Sequence, residues 1–96
     1  MIRHICMFTL KEENKERNIV EFFERAEKLR ELEIIKQFNV VRNVEKTPES
    51  NYDVALVFDF DTVETLDEYQ KSQLHVEFGE FVYSIRVDRA CIDYII

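Results

Sequence analysis

Hydrophobic and polar positions change period several times along the chain. Residues 2–10, "IRHICMFTL", form a short apolar, β-compatible run that predicts a first strand. Between residues 14 and 33 the period becomes helical. Ile19, Phe22, Phe23, Ala26, Leu29 and Leu32 recur on one stripe, with Glu, Lys and Arg on the other face and i,i+4 pairs such as Glu21 with Arg25. β character returns at 34–44, "IIKQFNVVRNV", and the segment 45–51, "EKTPESN", carries the only proline and predicts an exposed loop. "YDVALVFDF" (52–60) is apolar on both faces and predicts a strand. Asp61 and Glu64 then have the spacing of a capping box, opening a short helix through Leu66 and Tyr69. A second helical piece places His75, Phe78, Phe81, Val82 and Ile85 roughly on one stripe, and "RVDRACIDYI", at about 86–95, closes the chain as a strand.

The order β-α-β-β-α-β predicts an α+β, ferredoxin-like protomer: a four-stranded antiparallel sheet with its helices on one face, in a single domain over 1–96. Helices on one face leave an apolar surplus on the other. In the first strand Ile2, Cys6, Phe8 and Leu10 point one way and Ile5 and Met7 the other; in the third, Val54, Leu56, Phe58 and Phe60 oppose Ala55 and Val57. A sheet with one face in water alternates more cleanly. Leaving the second face wet exposes a patch of the kind that marks an interface. The expectation is a homodimer in which two sheets pack face to face.

Composition narrows the classes of function. Apolar residues at 46% and charged residues at 34% suit a globular chain and leave no segment that reads as disordered. A formal charge of −7, with no cluster of Lys or Arg, argues against nucleic acid and anionic membranes as partners. No apolar run approaches the length of a membrane span, and "MIRHICMFTLK" is too short and too interrupted by Arg3 and His4 for a signal peptide, so a cytoplasmic protein is expected. Cys6 and Cys91 lie far apart in sequence without metal-ligand spacing, which favours two buried thiols over a disulfide. His4 and Cys6 stand two apart, but a zinc site needs three or four ligands and no others appear nearby, so neither a metal nor a cofactor is expected.

Four stretches carry a family likeness: "IRHICMFTLK" at the start, "YDVALVFDFDTVETLDEYQ" in the middle, "HVEFGEFV" from His75, and "RACIDY" from Arg89. Together they resemble a stress-responsive α/β-barrel (Dabb) domain over essentially the whole chain. The resemblance implies a ferredoxin-like protomer and a dimeric α/β barrel, in agreement with the burial argument. One plant branch of that family consists of cyclases that close a linear polyketide by intramolecular aldol condensation. Its catalytic tyrosine and histidine match Tyr69 and His75, and a first-strand histidine matches His4. Two departures stand out. Ser72 and Gln73 replace the His-Pro of the family pattern Tyr-x-x-His-Pro-x-His, and "LEIIKQF" replaces an Ile-Pro-Gly turn before the second strand.

The chemistry of the three residues is open to two readings. Histidine, with an ordinary pKa near ~6.5, suits proton exchange at neutral pH, and a tyrosine hydroxyl polarises a carbonyl or orients the base. Equally, a histidine at a helix start and a buried tyrosine serve packing alone. The first expectation is therefore a domain that binds a small apolar or carbonyl-containing molecule between sheet and helices. The alternative is a cofactor-free cyclase or lyase with His75 as general base, Tyr69 as helper and His4 assisting. Other dimeric ferredoxin-like barrels include cofactor-free monooxygenases and haem-handling enzymes, but nothing here singles out a haem ligand.

Overall fold

A computed structural model describes residues 1–96. It contains β1 (Ile2–Leu10), α1 (Lys15–Ala26), β2 (Gln37–Arg42), β3 (Val54–Phe60), α2 (Val63–Lys71), α3 (Gln73–Ile85) and β4 (Arg86–Ile95). The four strands form one sheet in the order β2-β3-β1-β4, with every neighbouring pair antiparallel. This is the ferredoxin-like arrangement. Alternation along the strands decides which side chains reach the helices. Cys6, Phe8, Leu10, Val54, Leu56, Phe58 and Phe60 meet Ile19, Phe22, Ala26, Leu29, Leu66, Tyr69, Phe78, Val82 and Ile85 in one cluster of 16 buried residues. The opposite face carries Ile5, Met7, Ala55 and Val57 only partly covered, with Val41, Ile92 and Tyr94 exposed.

The helices follow their stripes, with shifts that have local causes. α1 ends at Ala26 and tightens into a 3-10 turn over Glu27–Glu31, a winding that brings side chains three apart into line and pairs Arg30 with Glu27 at 2.6 Å. Leu29, fully buried, keeps the helical stripe in the core through that turn. Ile34 and Ile35 pack against the core ahead of β2, which starts at Gln37. The expected capping box at Asp61 and Glu64 is corrected by one position: Thr62 is the N-cap of α2. Its Oγ1 accepts from the Thr65 amide at 3.1 Å, while Thr65 Oγ1 accepts from the Thr62 amide at 3.2 Å. A hydroxyl on the extended residue directly before the helix meets the free amides, and Asp61 lies one residue too far out.

The expectation of two separate buried thiols is overturned. The β1–β4 register places Cys6 opposite Cys91 with their Cα atoms 4.3 Å apart, and the two form a disulfide across 85 residues of sequence. Cys6 is buried and Cys91 exposed, because β4 is an edge strand beyond the reach of the helices.

A candidate binding site between the sheet and the second helical crossover

Five elements build one cavity of about 160 Å³: β1, β3 and β4 below, the end of α2 and one side of α3 from His75 to Tyr83 above. That is close to the ~150 Å³ that accommodates a molecule the size of benzene. His4 and Cys6 come from β1, Tyr69 and Gln70 from α2, His75 and Phe78 from α3, and Arg86 and Arg89 from β4. All three residues singled out from sequence therefore line the same space.

Tyr69 is the hub. It is fully buried, 5.1 Å from Phe60 and 5.8 Å from Phe58 between ring centroids. It also contacts both histidines, with centroid separations of 4.7 Å to His75 and 6.2 Å to His4. Yet its hydroxyl has no hydrogen-bond partner, and neither does the buried Nδ1 of His75. Buried polar atoms are nearly always paired, so two residues with orphaned atoms on the wall of one cavity single it out as the candidate site. Burial raises the Tyr69 pKa well above the ordinary phenol value, keeping the hydroxyl a donor. The His75 pKa is lowered chiefly by burial, with His4 and Arg89 acting in the same sense and a backbone contact to Gln70 in the opposite one. His75 is thus a neutral imidazole at pH 7.

The remaining groups are held in place. His4 Nδ1 lies 2.5 Å from Asp93 Oδ1, a contact set by their direct opposition across β1 and β4. With Nδ1–H given to the carboxylate, Nε2 is the ring nitrogen left to act as an acceptor. Ser72 joins the two helices. Its hydroxyl donates to the Tyr69 carbonyl at 2.7 Å and accepts from the His75 amide at 3.2 Å, ending α2 and capping α3. The residue that departs from the family pattern therefore ties Tyr69 to His75 through one oxygen. Gln73, the other departure, is exposed.

Sequence reading missed Arg86 and Arg89. Arg3, Arg25, Arg30 and Arg42 each pair with a carboxylate, whereas neither arginine of the cavity does. Two arginines without a carboxylate partner therefore line this cavity in a chain of net charge −7. The period-two series Arg89, Cys91, Asp93 was visible, but which face it occupied depended on the register with β1.

Comparison with known proteins agrees with the fold. A protein from Bacteroides fragilis, described as dimeric, ferredoxin-like and of unknown function, is 28% identical, with a TM-score of 0.84 over 97% of this chain and 93% of its own. A dimeric ferredoxin-like protein of unknown function from Thermobifida fusca superposes with a TM-score of 0.90 at 21% identity, over 99% and 90% of the two chains. A hydroxynitrile lyase from Passiflora edulis shares the fold at 16% identity, with a TM-score of 0.85 over 99% and 92%. A search of curated proteins finds no match. The stress-responsive A/B barrel domain matches residues 2–96, and the chain belongs to that Dabb family.

Proposed function

We propose that this chain is a homodimeric binding domain for a small carbonyl-containing molecule held between the sheet and α2–α3. The observation that carries the reading is that Tyr69 and His75, each with a buried polar atom that lacks a partner (Oη and Nδ1), line one cavity. A carbonyl oxygen satisfies the tyrosine hydroxyl, the aromatic walls take the apolar remainder, and Arg86 and Arg89 favour a ligand that also bears negative charge. The half-covered face of Ile5, Met7, Val57 and Ile92 supplies the dimer contact, sheet against sheet. The dimeric state of the relatives from Bacteroides fragilis and Thermobifida fusca supports that part of the reading.

A second reading is favoured by the neutral state of His75. In it, His75 takes a proton from the carbon next to the bound carbonyl, and the Tyr69 hydroxyl donates to the developing enolate oxygen, with His4 oriented nearby by Asp93.

Both readings are tested with a panel of small aldehydes, ketones and keto acids. Binding raises the melting temperature of the wild-type chain, and Tyr69→Phe weakens it about tenfold, or ~1.4 kcal/mol. If no carbonyl compound binds, or Tyr69→Phe binds equally well, the binding site is misassigned. Proton abstraction is read separately as exchange of α-hydrogens for deuterium in D₂O. Exchange that survives His75→Gln removes His75 as the base.

A further inference from the structure

We propose that, in the reduced chain, His4, Cys6 and Cys91 hold a single thiolate-preferring metal ion of the zinc class, and that the Cys6–Cys91 disulfide is the closed, metal-free form of the same site. The sequence alone offered only His4 and Cys6, one ligand short of the minimum. The tertiary register supplies the third. Cys91 stands opposite Cys6 and Asp93 opposite His4, so the four side chains form a square on the helix-facing side of β1 and β4. A ring nitrogen of His4 and the two sulfurs all lie within 4.8 Å of one another. Zinc takes sulfur at ~2.3 Å and imidazole nitrogen at ~2.0 Å, which sets neighbouring ligand atoms roughly 3.5–3.8 Å apart. Side-chain rotations on paired strands cover that difference.

Two further features point to a metal. Asp93 holds His4 Nδ1 at 2.5 Å, leaving Nε2 free, and metal-bound histidines usually give their second ring nitrogen to a carboxylate in this way. The ligand set is one imidazole and two thiolates, which selects zinc-like ions over magnesium or calcium. His4 and Cys6 line the cavity while Cys91 is exposed, so an ion reaches the site from the Cys91 side. Three protein ligands leave one position for water or a small molecule.

Opening the site is a two-electron step. An external dithiol gives two electrons and closes to its own disulfide as the Cys6–Cys91 bond breaks and the two sulfurs take up two protons. Metal binding then releases those protons as the thiols become thiolates. The inference does not depend on the carbonyl-binding reading.

The test uses the wild-type chain, fully reduced and fully oxidised, with Co²⁺ as the spectroscopic probe and Zn²⁺ as competitor. The reduced chain binds one equivalent of Co²⁺ with thiolate-to-cobalt charge-transfer absorption and tetrahedral ligand-field bands, which Zn²⁺ abolishes; the oxidised chain shows neither. Asp93→Asn weakens Zn²⁺ binding by about 10–100-fold while the charge-transfer band remains at saturating metal. The proposal is overturned if the reduced chain gives no thiolate–cobalt band, if the oxidised chain binds as tightly, or if reduction alone destroys the sheet by circular dichroism. Because the central comparison needs no substitution, a misfolded variant does not obscure it.

Discussion

The two faces of this sheet treat polar groups in opposite ways, although alternate residues of the same strand supply both. On the open face, Asp59 is buried but fully answered: both its oxygens accept from Arg3, at 2.8 and 2.9 Å, and the arginine holds its carboxyl below the usual carboxylate range. On the helix-covered face, one residue away from Arg3, His4 lines a cavity together with Tyr69 and His75, whose buried Oη and Nδ1 have no partner. A satisfied buried charge fixes geometry and suits an interface. Unsatisfied buried groups lower stability unless something meets them, and that imbalance is what supports the proposed ligand site. The lesson is that burial and polarity alone do not locate a site; what decides is whether the hydrogen-bonding capacity is met from within.

The largest effect that separates the faces comes from the covered side. Phe58 is fully buried, stacked on Phe38 at 4.6 Å between centroids and edge-on to Tyr69. Phe58→Ala should lower unfolding free energy by ~3–5 kcal/mol in a urea titration, from lost burial and the cavity left behind. Its neighbour on the open face behaves differently. If the proposed sheet-to-sheet contact forms the dimer, Ile5→Asp should leave each protomer folded by circular dichroism but shift the mass in sedimentation equilibrium from dimer to monomer, because it sets a charge in that contact. A folded dimer carrying this substitution would mean that the open face is not the interface.

Smaller effects probe the unpaired groups. Tyr69→Phe removes a buried donor without a partner, so the ligand-free chain should be stabilised by up to ~1–3 kcal/mol, the cost of leaving such a group unmet. A loss of stability would mean that the hydroxyl is paired in solution. Ser72→Ala removes the cap shared by Tyr69 and His75 and should cost ~1 kcal/mol. It should also broaden the His75 ring resonances in NMR spectra, a change that a simple cap loss elsewhere would not bring.

The smallest effect is a pH dependence. The folded pKa of His75 lies below its unfolded value near 6.5, so between the two the unfolded chain binds more protons than the folded one. Stability is therefore full above about pH 6.5 and falls as pH drops through the folded pKa. His75→Gln should flatten that part of the curve, while the groups that share the cavity, His4, Tyr69, Arg86 and Arg89, stay in place. An unchanged slope would assign the titration to another group.

Much of this was legible in the chain. The period of two in "IRHICMFTL" and "YDVALVFDF" and the helical stripe from Ile19 to Leu29 are local consequences of burying one side of a strand or helix. They led directly to the element order, the core residues and the apolar surplus on the second face. The family pattern also carried His4, Tyr69 and His75, and the structure brings all three to one cavity. Boundaries were less legible. The Thr62 cap and the 3-10 turn depend on single backbone angles and hydrogen bonds that composition does not specify.

What only the tertiary structure decided has a common physical source, the register of β4 against β1. That pairing joins residues at opposite ends of the chain, and a shift of one position would turn every side chain to the other face. It turned two presumed separate thiols into a cross-strand disulfide and placed Asp93 on His4. It also brought Arg89 to the cavity and gave the His4–Cys6 pair its third candidate ligand. Sequence periodicity determined which residues share a face of their own strand; long-range pairing determined which neighbours they meet, and the chemistry of this site lies in those neighbours.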